Sequence, residues 1–146
     1  MSRNYWYMKS EPYEYHWDDL VKDGQTHWDG VRNYQARNNM KAMKKGDIIL
    51  YYHSNVGVEF VGIAEVVTEF YQDPTTDDDR WVVVDIKPLK PLPQPVSLKE
   101  IKTHGALSDM QLVKQSRLSV GPMLRKEFDY ILRLANVNPE EFHQNF

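Results

Sequence analysis

Between Trp28 and Asn39 the sequence reads WDGVRNYQARNN, placing two arginines, four amides, a tryptophan and a tyrosine within twelve residues. These are the groups that base and phosphate recognition uses. Arg presents a planar fork, Asn and Gln offer paired donors and acceptors, and aromatic rings give a face for stacking. No catalyst is required. Between Asp29 and Asp47 there is no acidic residue, whereas Arg32, Arg37, Lys41, Lys44 and Lys45 all fall there, so a chain of net charge -3 carries a local basic island. An anionic partner would suit the island. The structural alternative is a polar helix start with Asn33 as N-cap, Tyr34 and Met43 in the core, and solvated charges.

Three shorter stretches also carry reactive or hydrogen-bonding groups. Lys9, Ser10 and Glu11 offer a base, a hydroxyl and an acid in succession; His53 and Ser54 follow an apolar run; and Ser116-Arg117-Leu118-Ser119 sets an arginine between two hydroxyls. A Ser54–His53–Asp triad is a weak reading, because adjacent strand residues face opposite ways. The chain has no cysteine, which excludes disulfides, Cys-ligated zinc, thiol nucleophiles and the Cys-dependent deaminase signature. Gln72 to Arg80 holds a three-aspartate run but lacks the central glycine and distal glutamate of a calcium loop, so no metal is expected. Gly-rich phosphate loops and the HExxH and GxSxG motifs are absent, and no cofactor is expected.

The 146 residues suffice for one domain with one core. The aromatic share of 12% suggests that some rings are kept for a surface or pocket. Residues Met1 to Lys9 lack a secretory signal pattern and no stretch approaches a membrane span, so a soluble, cytoplasmic protein is expected. The net charge of -3 argues against non-specific coating of long duplexes; nucleic-acid contact should be local.

The elements that position these groups can be read in order. Asn4 to Lys9 suits a first strand ended by Ser10-Glu11-Pro12, with Trp6 and Met8 on one face and Tyr5 and Tyr7 on the other. Tyr15 to Lys22 reads as a short helix ending at Asp23-Gly24, and Asn33 to Met43 as a second with Tyr34, Met40 and Met43 inward. Ile48 to Tyr52 is a strand buried on both faces, and Glu59 to Tyr71 is a long strand bent at Gly62. Trp81 to Ile86 is another strand. Pro88 to Pro95, with four prolines, reads as an extended connection crossing the domain. Ser97 to Glu100 is a capping box, Ser116 to Val120 alternates like a half-buried strand, and Pro122 suits the first position of a helix with Leu124, Phe128, Ile131, Leu132 and Ala135 on its apolar face. The sum is five or six strands with short helices: α+β, with a small curled or barrel-like sheet.

Four stretches together resemble one family, the EVE domain, within the PUA-like group of RNA- and modified-base-binding folds. They are YWYMKSEP at Tyr5 to Pro12, WDGVRNYQARNNMKAMKKGD at Trp28 to Asp47, YYHS with VGIAEV between Tyr51 and Val66, and RLSVGP at Arg117 to Pro122. The resemblance spans nearly the whole chain, and a bacterial-type, stand-alone EVE domain is the simpler expectation from it. It implies a small PUA-like β-barrel flanked by short helices, similar in fold to the YTH readers of methylated adenine, with a pocket that receives one modified nucleobase.

Carried onto this sequence, the resemblance implies that Trp6, Lys9, Ser10 and Glu11 come from the first strand end. Trp28, Val31, Arg32, Asn33, Tyr34, Gln35, Arg37 and Asn38 come from the central stretch, Tyr52, His53 and Ser54 close one side, and Arg117, Leu118 and Ser119 the other. Trp28 or Trp6 would stack, Asn33, Ser54 and Glu11 would read the base edge, and Arg32, Arg37 and Arg117 would hold phosphate or carboxylate. Core burial is the rival role for Trp6, and a salt bridge to Arg32 or Arg37 the expected role for Glu11. Gly121 departs from relatives that often carry a polar residue there; if that side chain touches ligand, the contact is missing here.

The leading expectation is a non-catalytic reader of a modified nucleobase in DNA or RNA, single-stranded or flipped out, with no membrane partner. The alternatives are an ASCH-like hydrolase of a modified nucleoside using Lys9, Ser10 and Glu11, and a protein-interaction domain whose basic island meets an acidic partner.

Overall fold

In the computed structural model, which describes residues 3–55 and 57–143, strand β1 (Tyr5–Ser10) runs parallel to β3 (Ile48–His53) and antiparallel to β6 (Val120–Met123). Strand β3 pairs antiparallel with β4 (Glu59–Gln72), β4 with β5 (Val82–Ser97), and β5 with the two-residue β2 (Thr26–His27). The order β2-β5-β4-β3-β1-β6 makes a six-stranded mixed sheet, so the α+β expectation holds. Closure into a barrel does not: among the described residues the sheet ends in two edges, β2 and β6.

The sheet curls where its registers shift. One shift lies between Tyr51 and Tyr52 on β3 and another between Phe60 and Gly62 on β4. Gly62 is the bend expected from sequence, and it is glycine for lack of room: a Cβ there would stand 2.5 Å from the Trp17 indole.

The alternation read in β1 separates two cores. Tyr5 and Tyr7, with Leu50, Tyr52 and Ile63, face Phe128, Ile131 and Leu132 of helix α5 (Arg125–Leu134). The Tyr5 and Phe128 rings stack at 4.4 Å. Trp6 and Met8, with Ile49, Tyr51 and Val66, face Trp17 and Leu20 of α1 (Trp17–Asp23) and Ala36 and Met40 of α2 (Tyr34–Ala42). Burying each large side chain contributes roughly 1.5–3 kcal/mol, so both cores press the central strands into place.

Several expectations are corrected. Pro88 to Pro95 is not a crossing connection but part of β5. β2 covers β5 only at Asp85 and Ile86, so the prolines occupy a sheet edge where their missing N–H groups cost no ladder bond. Ser116 to Ser119 forms a turn instead of a strand, after the short helix α4 (Gln111–Lys114). Pro122 lies in β6, and α5 starts three residues later with its N-terminal Leu124 exposed. Ser97 does cap α3 (Leu98–Ile101), its hydroxyl accepting from the Glu100 N–H at 3.1 Å. Tyr34 is 51% exposed and not in the core.

Gly121 sits opposite Tyr7 in the β1–β6 ladder, and a Cβ there would lie 2.5 Å from the Tyr7 hydroxyl and 2.6 Å from its ring. Position 121 therefore faces the interior and does not present a ligand contact. The Tyr7 hydroxyl is itself buried with no hydrogen-bond partner among the described residues. Tyr7→Phe is expected to leave stability unchanged or raise it by about 1 kcal/mol, because it removes an unpaired polar group. Gly121→Ala should cost about 1–3 kcal/mol through overpacking. Urea unfolding of both variants checks the pair.

Candidate functional site

The parallel pair β1 and β3 delivers its carboxyl ends to one place, and the Ser54 N–H donates to the Ser10 carbonyl there at 2.9 Å. Two irregular segments close around that end. The turn 116–119 is stitched to β1 twice: the Lys9 N–H donates to the Ser119 carbonyl and the Lys9 ammonium to the Ser116 carbonyl, each at 2.9 Å. Leu118 is buried and anchors the turn, leaving Ser116, Arg117 and Ser119 on the cleft.

The other segment is Trp28 to Asn33. The Trp28 N–H donates to the Val84 carbonyl at 2.9 Å, tying the segment to β5. Gly30 adopts φ +77°, a left-handed conformation that favours glycine, and its N–H donates to Asp73 at 3.1 Å. Arg32 donates to the same Asp73 oxygen at 3.0 Å. Asp73 is fully buried. Burial alone would raise its pKa, but hydrogen bonds from Thr75, Arg32 and Gly30 outweigh it and hold the carboxyl at about 2. Asn33 then caps α2, its side-chain oxygen accepting from the Ala36 N–H at 2.9 Å.

The cavity enclosed has a volume of about 420 Å³, within the roughly 300–1,000 Å³ of small-ligand sites. Of the residues expected from sequence, Lys9, Ser10, Glu11, Trp28, Val31, Arg32, Ser54, Arg117 and Ser119 line it. Glu14, Asp29, Gly30 and Ser116 line it too; of these only Glu14 lies outside the stretches singled out from sequence. A second hollow of about 310 Å³ adjoins it, sharing Ser10, Glu14, Trp28 and Asp29 and adding Tyr15, Thr26 and His27. Trp28 is thus the wall common to both. It is 9% exposed and held edge-on against Tyr51 at 5.5 Å and Tyr15 at 6.2 Å.

The remaining expected residues lie elsewhere. Trp6 is a core residue whose indole N–H donates to the buried Asp47 at 2.9 Å. Tyr52 is buried on the α5 face, its ring beneath the Lys9 ammonium. His53 is buried, and its Nε2 accepts from the Trp17 N–H at 3.0 Å, which holds the start of α1. Asn33, Gln35 and Leu118 line a neighbouring groove that shares Ser116 and Arg117 with the cleft. Tyr34, Arg37 and Asn38 lie outside the cleft on α2. Glu11 accepts from Asn55 at 3.4 Å, while Arg32 pairs with Asp73 and Arg37 donates to Asn38 and to the Arg80 carbonyl, so the expected Glu11–arginine bridge is replaced.

The cleft places Lys9, Arg32 and Arg117 against Glu11, Glu14 and Asp29, three cations with three anions. Burial pushes the Lys9 pKa below the usual lysine value. Such a balanced, donor- and acceptor-rich hollow suits a neutral heterocycle better than a bare phosphate.

The EVE-domain model matches residues 4–134. The chain belongs to the EVE-domain family. Mouse thymocyte nuclear protein 1 is 37% identical over 170 aligned positions, covering 93% of this chain and 75% of that protein. Among solved structures, a protein from Agrobacterium tumefaciens superposes with a TM-score of 0.90 at 45% identity, covering 92% of this chain and 94% of that one. Human THYN1 in complex with 5-methylcytosine-containing DNA superposes at 0.82 with 34% identity, covering 93% and 99%. A YTH domain from Zygosaccharomyces rouxii, at 18% identity and a TM-score of 0.59, shares the fold of this EVE domain.

Two expected outcomes follow from this geometry. Asp73→Ala should lose about 3 kcal/mol, because it strands the Arg32 guanidinium and two backbone donors. Its carboxyl is lowered, so the stability it contributes is present above pH ~4 and is lost as pH falls toward 2, on the order of 2 kcal/mol that the variant lacks. Urea unfolding as a function of pH measures both. For His53, burial and then the neighbouring His16 lower the pKa, with Asp18 opposing. Its contribution is therefore complete above about pH 6.5 and lost as pH falls below that. His53→Gln, which keeps an acceptor for the Trp17 N–H, should flatten the thermal-stability profile between pH 7.5 and 5.

Proposed function

We propose that this EVE domain is a non-catalytic module that binds a modified nucleobase of DNA or RNA in the cleft between β1, the Trp28–Asn33 segment and the 116–119 turn. The observation that carries the reading is the cleft's charge balance around a fixed tryptophan wall. A base edge offers donors and acceptors without net charge, and the serines, Glu11, Glu14 and Asp29 can match it while Arg32 and Arg117 reach flanking phosphate. The human THYN1 complex with 5-methylcytosine-containing DNA supports the class of ligand. A base must leave its stack to enter such a hollow, at a cost of a few kcal/mol from a duplex, so a single strand or an already unpaired base is the better substrate.

The hydrolase alternative would use Lys9 as base with Ser10 as hydroxyl and Glu11 as acid. The Lys9 ammonium donates a hydrogen bond to the Ser116 carbonyl, which gives Lys9 a positioning role in holding the cleft's lip. Fluorescence anisotropy with a single-stranded DNA oligomer bearing one central 5-methylcytosine, against the same oligomer unmodified, tests the reading. The modified strand should bind more tightly, and Trp28→Ala should reduce the preference roughly ten-fold through loss of ~1–3 kcal/mol of wall contact. Equal binding of both strands would overturn the reading. Mass spectrometry of the recovered oligomer should return it intact; turnover lost in Lys9→Ala would establish the hydrolase instead.

A further inference from the structure

Beside the cleft, and outside it, the start of α2 meets the end of the β4–β5 loop in a cluster of aromatic rings and guanidinium groups. The Tyr34 and Trp81 rings lie 5.2 Å apart at 32°. Arg37 stands 4.9 Å from the Tyr34 ring centre, and Arg32 and Arg80 stand 5.6 and 5.7 Å from that of Trp81. Arg80 also donates to the Tyr34 hydroxyl at 3.1 Å. Large aromatic side chains normally bury their rings, yet Tyr34 is 51% exposed and Trp81 is only half-buried. The core does not need them.

The cluster is continuous with the cleft through Arg32, which lines the cavity and stands over Trp81. From the cavity the path runs Arg32, Trp81, Tyr34, Arg37, each within 6 Å of the next, a pair of rings between two guanidinium groups. The charges are unevenly committed. Arg32 pairs with Asp73 and Arg80 with Asp78, but Arg37 donates to neutral acceptors, the Asn38 side chain and the Arg80 carbonyl. Asp77 and Asp79 lie exposed nearby on the same loop, so the patch as a whole is not strongly positive. It combines a stacking surface with one cation, Arg37, that has no carboxylate partner among the described residues. A strand of nucleic acid presents flat bases and single phosphate charges, which a ring pair flanked by guanidinium groups can meet, and base–aromatic stacking tolerates any sequence.

We propose that Tyr34, Trp81 and Arg37 form a second site that holds the nucleotide flanking the recognised base, so that the protein binds a short single-stranded segment, one base in the cleft and its neighbour on the Tyr34 ring. The site rests on the reader assignment for its direction, since Arg32 joins the two, but its own contribution is independent of the modification. Cleft residues set the preference for the modified base, and the platform sets overall affinity for the strand.

The test uses the same pair of single-stranded DNA oligomers, with and without one central 5-methylcytosine, titrated at several salt concentrations against the whole protein and its Tyr34→Ala, Tyr34→Phe and Arg37→Ala variants. Tyr34→Ala should weaken both strands roughly ten-fold and leave their affinity ratio unchanged. Tyr34→Phe, which keeps the ring and loses only the hydroxyl contact with Arg80, should stay near the parent. Arg37→Ala should weaken both strands and lower the slope of log affinity against log salt by about 0.7, the value for one single-strand phosphate contact. Unchanged affinity in Tyr34→Ala and Arg37→Ala would overturn the proposal, as would loss of the ratio, which would make the cluster part of the base pocket. If the parent shows no preference yet Tyr34→Ala still weakens both strands, the reader assignment fails and the strand site stands. Failure of the parent to bind either oligomer overturns both.

Discussion

A buried carboxylate holds the cleft in shape. Taking an ionised carboxyl out of water costs several kcal/mol unless its oxygens are filled with donors. Asp73 has the N–H groups of Gly30 and Thr75, the Thr75 hydroxyl and the Arg32 guanidinium. Because the carboxylate sits on the β4–β5 loop and two of its donors on the Trp28–Asn33 segment, satisfying the charge fastens one segment to the other. The left-handed Gly30 follows from that fastening, since its N–H must turn toward Asp73. So does the place of Arg32, which is held at one nitrogen while lining the cavity. Helix α2 begins at the next turn, capped by Asn33, and the exposed Tyr34 ring is fixed beside Trp81 by the same geometry.

Much of the polar content of the family motifs is spent on similar fastening. The Trp6 indole and the Asn4 and Lys44 backbones converge on Asp47, closing the start of β1 against the turn after α2. His53 supplies the acceptor for the start of α1, and Lys9 secures the 116–119 turn. Apart from the Lys44–Asp47 bond, these span 36 residues or more and tie helix starts, turns and strand ends to one another. A cavity lined by short loops is thereby given walls that resist collapse, which a reader needs if the modified base is to be distinguished by fit.

The fold was largely legible because its signals are periodic. The alternation of Tyr5, Trp6, Tyr7 and Met8 assigns the two cores correctly, and the apolar run Ile48 to Tyr52 is buried on both faces as a strand paired in parallel should be. Prolines mislead, because Pro88 to Pro95 reads as connection until the neighbour of that edge is known, and no sequence signal shows that β2 covers only Asp85 and Ile86. At the site, nine of the expected residues line the cavity, since they sit on loop ends that the motifs mark. His53, Trp6 and Tyr52 were indistinguishable from ligand contacts by type: a buried indole or imidazole that satisfies an internal partner carries the same letter as one facing a ligand. Asp73 is hidden in an aspartate-rich loop for the same reason, its importance set by partners 41 and 43 residues away. Glu14 carried no signal.

For the proposed reader, the balance of charge explains how a chain of net charge -3 would serve an anionic polymer. The basic residues between Arg32 and Lys45 do not converge on the cavity: Lys41 lies over the Phe70 ring, the Lys45 backbone donates to Glu69, and Arg32 alone of the five lines the cleft. Long-range attraction is therefore weak, and binding by phosphate charge alone would be feeble and easily screened. Recognition has to come from short-range terms: hydrogen bonds to a base edge, contact with a fixed tryptophan wall, and stacking on an exposed ring. Those terms discriminate between bases, whereas phosphate attraction does not. A sparse field with a rigid, neutral cleft thus favours selectivity over affinity, which is the requirement for finding a rare modified base among many unmodified ones.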